Sequence, residues 1–555
     1  MVSWQDYWPQ KIWNDMQMKK IGEKEVITFP DLPLSLAHAL NNSANRFRDK
    51  TAIVDNWHNK YTYASLLEMV NKFASYLHWE LHIQKGSHVA LMLYNSIEFC
   101  VAFLALNKLG AITVPLPVKY QKQEVLSLAK KANVSFVICE EQFAGWFEFD
   151  QGQSIPCIHP LNHEKAYGFE YLFTKDFPQV DTAGTLEDSA FIIFTSGTTS
   201  KSKGVLLKNY NVMHAIVAYQ RTLQIDCSDK TIIPIPIYLV TGMVALLGLF
   251  LFVGGTVYLH KYFDAKRVLQ CAVDEKITFL HASPTVFSLL LSEKEQFPKI
   301  PTLRSFACGS SNMPPENIRR IKKWLPNVDF HTVYGLTETS SPATLLPNGA
   351  ADSPYIGSSG VPVPGNQLKI VDQNGMEQDT GKVGEVLVSG STVLEEYYQL
   401  QSEAITPDGW LHTGDLGYCN EHGYLYIVDR IKDMINRGGE KICSFDVENQ
   451  LNCLNGILEA AVVGIPDKKY GEVPVAAVRS ADPNWTQEKI QETLKMKLAK
   501  YQIPIRIQFF DKIPKTPNGK IDKKTLRQLF IDQMNDKEEL QIHVKDKLCY
   551  RTASR

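Results

Sequence analysis

Between Thr231 and Leu259 the chain carries no charged residue, a run long enough on hydropathy alone to suggest a membrane span. Pro234 and Pro236 interrupt its beginning and Gly254-Gly255 its end, so the helix-like core, Leu239 to Leu251, is only about a dozen residues, too short to cross a bilayer. The run therefore predicts a helix buried within protein and a following strand, Thr256 to Leu259, and it suits the wall of an apolar pocket. A helix that is apolar all round needs a large core to surround it. At 555 residues the chain can supply one, spread over two or more domains.

Composition narrows the class. With 44% hydrophobic and 21% charged residues the chain is globular, and a net charge of -2 argues against bulk binding to nucleic acid or an acidic membrane surface. The opening, Met1-Val2-Ser3-Trp4-Gln5-Asp6-Tyr7-Trp8, lacks the basic and then apolar layout of a signal peptide. The ten cysteines stand singly, without a CxxC pair, which predicts reduced thiols and a cytoplasmic protein.

Residues 1 to 30 read as an aromatic and charged arm packed on the body. From Leu34 the text is α/β: helices over Leu36–Phe47, Tyr63–Leu81, Ile97–Leu109 and Gln123–Ala132 alternate with short apolar strands such as Val89–Leu93, Ile112–Pro115 and Val134–Cys139. Such alternation favours parallel sheet covered by helices. The segment from Phe143 to Glu187 reads as irregular connection. Further on come a helix over Asn209–Tyr219, a helix over Ala265–Asp274, and strands over Ile277–Leu280 and Leu303–Ala307. Past Tyr355, glycines, prolines and short strands (Gln367–Val371, Gly384–Val388, Gly423–Val428) predict a β-rich subregion. From Val447 a smaller α/β unit runs to about Phe530, and Ile531 to Arg555 is a charged tail.

Five stretches carry candidate chemistry. Phe191 to Phe194 is a strand that runs into Thr195-Ser196-Gly197-Thr198-Thr199-Ser200-Lys201-Ser202-Lys203-Gly204, where hydroxyls, glycine-freed N–H groups and a lysine suit a polyphosphate. The Walker spacing is absent, so a nucleotide would be held in another way. Tyr334-Gly335-Leu336-Thr337-Glu338 sets a ring, a hydroxyl and a carboxylate side by side, suited to base stacking, phosphate contact and Mg²⁺, though a glycine turn with hydroxyls also serves as a plain turn. Gly414-Asp415-Leu416-Gly417 offers a carboxylate that can accept from ribose hydroxyls, or simply a solvated loop aspartate. The charge-dense Asp429-Arg430-Ile431-Lys432-Asp433, followed by Gly438-Gly439, stands where a hinge belongs. Pro514-Lys515-Thr516-Pro517-Asn518-Gly519-Lys520 is a tight turn that exposes Lys520.

In this order and at these separations the stretches resemble the signature motifs of the acyl-adenylate-forming, or AMP-binding, superfamily, which includes acyl-CoA synthetases, adenylation domains and luciferases. The resemblance covers about Leu34 to Phe530 and is most like an acyl-CoA synthetase. It implies a large N-terminal domain, residues 1–429, a hinge at 430–432 turning on Lys432, a small mobile lid, 433–530, and a tail, 531–555. It also implies roles. Thr195, Ser196, Gly197, Thr198, Thr199 and Lys203 grip the β and γ phosphates of ATP. Gly309, Ser310, Tyr334 and Gly335 lie against adenine and the adenylate, Thr337 meets the α-phosphate, and Glu338 holds Mg²⁺. Asp415 and Arg430 bind ribose, Gly438 and Gly439 line the coenzyme A tunnel, and Lys520 bridges the attacking carboxylate and the α-phosphate.

Tyr238, Leu239, Gly242 and Ser341 are expected to line the acyl pocket. Leu239 stands where the family often has histidine, Cys308-Gly309-Ser310-Ser311 replaces a commoner Gly-Gly-Ala-Pro, and Thr332 replaces an amide. The implied reaction joins a small-molecule carboxylic acid to CoA at the expense of ATP. The uncharged wall offers nothing to pair a substrate amine, unlike an amino-acid site, so an apolar acid is expected, a medium- or long-chain fatty acid before an aryl acid. Transfer of the acyl group to a separate carrier protein is the alternative, and a homodimer is compatible with the class.

Overall fold

The computed structural model describes residues 1–147, 155–158, 173, 175–195, 202–311, 313–347, 349–516 and 519–534. Two compact units emerge, residues 1–413 with 418–426, and residues 414–417 with the chain from 427 onward.

Among the described residues the larger unit contains a six-stranded sheet, a nine-stranded sheet, a two-stranded hairpin and most of a five-stranded sheet. The six-stranded one runs Gly204–Lys208, Ser189–Phe194, Ile112–Pro115, His88–Met92, Phe136–Cys139, Cys157–Ile158, parallel except for the antiparallel Gly204–Lys208 edge. The nine-stranded one runs Val361–Pro362, Thr344–Leu345, Asp329–Tyr334, Ser305–Cys308, Phe279–Ala282, Lys230–Ile233, Thr256–Leu259, Thr51–Val54, Lys60–Thr62, parallel from Asp329–Tyr334 through Thr51–Val54. The β-rich subregion is a five-stranded sheet of Val2–Ser3, Asn366–Val371, Gly384–Gly390, Leu411–Cys419 and Leu425–Arg430.

Local chemistry explains the helices between them. Ser35, Thr62 and Ser96 each accept a hydrogen bond from a first-turn N–H, of His38, Ser65 and Phe99, and so start helices Leu36–Arg46, Tyr63–Trp79 and Ile97–Leu109. The last of these is buried almost all round and stops at Gly110, where φ is +68°.

The uncharged run folds as an inward helix, although Thr241–Gly248 is π-helical and only Leu249–Val253 continues as α-helix. A π-helical stretch of this kind often marks a functional site, and its wider turn is invisible to an apolar-run argument. Among the described residues no helix is long and apolar enough to cross a membrane. Two expected strands begin later than their apolar runs, at Phe279 and Ser305. The N-terminal arm is more ordered than its sequence suggests: Gln17–Ile21 and Lys24–Thr28 form a hairpin, and Val2–Ser3 joins the five-stranded sheet beside Leu368.

The smaller unit is built on the long antiparallel pair Ile457–Asp467 and Gly471–Ser480, with Arg506–Phe509 parallel to the second strand. Strand alternation divides its core into two layers. Ala460, Val462, Ala476 and Val478 face Val447, Leu451, Ile490 and Leu494, while Ala461, Val463, Val475 and Ala477 face Ile513, Leu526 and Phe530.

Candidate active site

In the larger unit the phosphate-type loop leaves the strand Ser189–Phe194 and returns on Gly204–Lys208. Its mouth is closed by Thr195 N–H donating to the Lys203 carbonyl at 3.1 Å. Ser196, Gly197, Thr198 and Thr199 lie outside the described residues. Lys203 is placed by a segment the sequence reading passed over: its ammonium donates to Ser402 Oγ at 3.0 Å and stands 4.7 Å from the Tyr397 ring centroid. The Tyr397 hydroxyl in turn donates to Glu338 Oε1 at 3.2 Å, and Leu394 N–H donates to the Glu338 carbonyl at 2.8 Å. Burial, and then the Glu338 carboxylate, hold the Tyr397 phenol well above its usual pKa, so it stays a donor. One side chain thus links the loop lysine to the carboxylate expected to hold Mg²⁺. The Tyr397-Tyr398 pair behind two glutamates was the only sequence signal.

Glu395 anchors that segment, accepting from Lys208 Nζ at 2.6 Å and from the Tyr210 hydroxyl at 2.8 Å. Tyr398 N–H donates to the Gly204 carbonyl at 2.8 Å.

Tyr334 ends the strand Asp329–Tyr334, and the chain turns sharply through a single 3₁₀ turn, Thr337–Thr339. Thr339 Oγ1 accepts from Leu336 N–H at 2.9 Å. Gly335 is obligatory, since a Cβ there would stand 1.6 Å from the Ser341 carbonyl oxygen. Ser340 and Ser341 have φ of +54° and +99°, and Ser310, beside Gly309, has +74°, a concentration of left-handed backbone at non-glycine residues typical of ligand sites. Thr332 Oγ1, on the same strand, is buried without a partner among the described residues.

The expected acyl wall starts at Pro234 and Pro236, and the backbone flanking them is held by Asn95, a residue the sequence reading did not single out. Its amide donates to the carbonyls of Ile233, Ile235 and His260 at 3.2, 2.8 and 3.0 Å, and its oxygen accepts from Ile237 N–H at 2.8 Å. Tyr238 is buried, and burial raises its phenol pKa well above the usual value. Leu239 is partly buried. Gly242 packs so closely that a Cβ would lie 2.6 Å from the Ile237 carbonyl oxygen. Ser341 Oγ shares a 3.0 Å hydrogen bond with the Tyr219 hydroxyl.

In the smaller unit Asp415 and Arg430 meet, Oδ1 to Nε 3.1 Å. Lys432 is exposed in the turn Ile431–Asp433. Gly438 and Gly439, with φ of +61° and +94°, form the tip between strands Ile435–Arg437 and Glu440–Ile442. Lys520 is exposed on a hairpin closed by Thr516 N–H to the Lys520 carbonyl, 2.7 Å, and Asp522 N–H to the Pro514 carbonyl, 2.9 Å.

Ion pairs hold one arm of that hairpin and the helix turn that follows it. Lys515 meets Glu459 at 2.8 Å, and Lys523 meets Glu448 at 2.8 Å while donating to Ser444 Oγ at 2.7 Å. Ser444 Oγ donates to Asp429 Oδ1 at 3.0 Å, and Glu448 also accepts from Val462 N–H at 2.8 Å.

A helix-covered sheet body with these turns, and a small unit with Lys520 exposed on a braced hairpin, are the arrangement expected of the adenylate-forming class. The sequence pattern of the AMP-binding enzyme family matches residues 40–398, and that of the AMP-binding enzyme C-terminal domain matches 446–520. The long-chain-fatty-acid–CoA ligase FadD13 of Mycobacterium tuberculosis is 30% identical over 482 residues, covering 85% of this chain and 93% of that protein. The 2-succinylbenzoate–CoA ligase of Enterococcus faecalis is 33% identical over 457 residues, covering 80% and 90%. The solved o-succinylbenzoate CoA synthetase of Bacillus subtilis, in complex with its acyl-adenylate intermediate, superposes with a TM-score of 0.78 at 27% identity, covering 88% of this chain and 97% of that one. The chain belongs to the AMP-binding enzyme family. Within it, its class is that of the AMP-forming acid–CoA ligases.

Proposed function

We propose that the chain activates an apolar carboxylic acid, a medium- or long-chain fatty acid before an aryl acid, and passes it to CoA. The relatives' printed names range from a long-chain fatty acid to 2-succinylbenzoate, so the acid preference rests on the uncharged, Asn95-braced wall of this chain. The observation that carries the ligase mechanism is the link from Lys203 through Tyr397 to Glu338, which joins the phosphate-type loop to the candidate metal carboxylate.

In the first half-reaction a carboxylate oxygen of the acid attacks the α-phosphorus of ATP and pyrophosphate leaves. The obstacle is repulsion between anions, and Lys203, Thr337 and the loop donors supply positive potential on the nucleotide side, with Lys520 on the side of the attacking acid. Among the described residues no group of three or more His, Cys, Asp or Glu converges as a metal cage. A lone Glu338 carboxylate fits Mg²⁺, which is commonly held by one or two carboxylates together with phosphate oxygens. When bound, the ion neutralises charge on the phosphates. Asp415 and Arg430 hold the ribose.

In the second half-reaction the CoA sulfur attacks the acyl carbonyl, AMP leaves and the thiol proton is lost. The small unit turns about Lys432 between the steps, withdrawing Lys520 and bringing Gly438-Gly439 forward. Reduced thiols such as Cys100 and Cys308, both free and buried, accord with a cytoplasmic setting.

The test is CoA-dependent AMP release across fatty and aryl acids, with Lys520→Ala assayed in each half-reaction separately. Adenylation should be lost while supplied acyl-adenylate still yields thioester. Equal loss of both steps would refute the rotation.

A further inference from the structure

The strand Phe279–Ala282 has two faces of different character. Leu280 and Ala282 point into the large apolar cluster with Phe306, Cys308 and Phe330. Phe279 and His281 point the other way. There His281 is 2% exposed, edge-on to Tyr219 with ring centroids 6.0 Å apart, and its Nδ1 is buried without a hydrogen-bond partner among the described residues. Its Nε2 would lie only 3.5 Å from a Cβ at Gly309, so the absence of a side chain there leaves the imidazole edge against the Gly309-Ser310 turn.

Tyr219, 1% exposed, carries the hydroxyl bonded to Ser341 Oγ, and Ser341 is 6% exposed on its left-handed backbone. Polar side chains from a helix, a strand end and a turn thus lie next to Gly309 and Ser341, two residues assigned above to the adenylate and the acyl group. His281 and Gly309 also stand at the carboxyl ends of adjacent parallel strands, where open α/β sheets bind ligands.

Burial alone pushes the His281 imidazole down to about 3, so it is neutral, with one N–H to donate and one nitrogen to accept. A neutral set of this kind suits a carbonyl, hydroxyl or ether oxygen. It offers nothing to offset the desolvation of a second carboxylate. Leaving a buried polar atom unpaired is costly, and a hydrogen bond to such an oxygen would offset that cost.

We propose that His281, with the Tyr219–Ser341 hydroxyl pair, anchors a neutral oxygen function carried by an otherwise apolar acid, so that a keto, hydroxy or ether-bearing fatty acid is preferred to a plain hydrocarbon chain. This rests on the acid–CoA ligase reading and refines its acyl site. A plain chain would leave the buried nitrogen unpaired, the kind of omission that enzymes discriminate strongly.

The experiment measures kcat/KM for CoA-dependent AMP release by the full-length protein. The acids are dodecanoic acid, its keto and hydroxy derivatives substituted at successive carbons, and dodecanedioic acid. At least one keto or hydroxy acid should exceed dodecanoic acid by about tenfold or more. His281→Leu should invert the order, raising dodecanoic acid and lowering the oxygenated one. Tyr219→Phe, nearly isosteric, should shift the same ratio in the same direction, and it supplies the reading if His281→Leu does not fold.

Turnover that favours dodecanoic or dodecanedioic acid, or variants that lower all acids in proportion, would overturn the anchor while leaving the ligase reading intact. Turnover of no acid, aryl acids included, would overturn the ligase reading and the anchor with it.

Discussion

Two glutamates, one in each unit, brace the segments that carry candidate site residues, and both pair with a lysine. Glu395 holds the segment of Tyr397 through Lys208 and Tyr210, and its carboxylate is about a quarter exposed. Glu448 holds the helix turn after the Lys520 hairpin through Lys523, and its carboxylate is only 12% exposed. The pairs respond oppositely to their surroundings. Burial pushes Glu395 upward, yet the hydrogen bonds from Lys208 and Tyr210 outweigh it and leave the pKa lowered. Burial of Glu448 outweighs Lys523 and the Val462 N–H, so its pKa is raised. The same chemical pair is a stabilising contact where water still reaches it and a strained one where water does not.

The largest effect is expected of Lys523→Met, which strands the Glu448 carboxylate in the small-unit core. Stability should fall by about 3–5 kcal/mol in chemical denaturation if the acid stays charged. Adenylation should slow well beyond any change in thioester formation from supplied acyl-adenylate, because the helix turn that follows the Lys520 hairpin loses its brace. Lys523→Arg should recover much of both losses, and equal slowing of the two half-reactions would remove the bracing role.

Glu395→Gln is the milder lesion. It keeps the Tyr210 contact and weakens the Lys208 one, so it should cost about 1–2 kcal/mol, with adenylation impaired through Tyr397 and Lys203. A cost matching that of Lys523→Met would erase the distinction drawn here between the two pairs.

The smallest effect is the response to pH. A lowered carboxylate contributes stability that is present above its unfolded pKa and lost as pH falls through the folded one. Glu395 therefore weakens the larger unit on the acid side of the ordinary carboxylate range. A raised carboxylate does the reverse. Glu448 and Asp429, both raised chiefly by burial, favour the smaller unit below the ordinary carboxylate range and lose that contribution as pH rises through their folded values. Hydrogen exchange over acidic to neutral pH, corrected for intrinsic rates, should show opposite trends in peptides around 391–402 and 444–462. Parallel trends would contradict the assigned shifts.

Much of the fold was legible because its signals are local. Ile97–Leu109 and Thr256–Leu259 form as read, since a cap, an apolar run and a terminating glycine lie within one stretch of chain. The motif residues Tyr334, Gly335, Glu338, Asp415 and Arg430 were legible as types at fixed spacings. Tyr397, Asn95 and His281 were not, because nothing beside them in sequence says what they touch. Asn95 does its work across more than a hundred residues, on the carbonyls of Ile233 and Ile235 beside Pro234 and Pro236.

By itself the sequence determined the alternation of helix and strand, the inward burial of Thr231 to Leu259 and the order of the nucleotide-type motifs, all of which depend on residues near one another along the chain. Tertiary packing sets which polar groups face one another after burial: Tyr397 between Lys203 and Glu338, Lys523 between Glu448 and Ser444, and His281 beside Tyr219 and Gly309. Hydrogen bonding and desolvation depend on distance in space, and packing sets that distance between residues hundreds of positions apart.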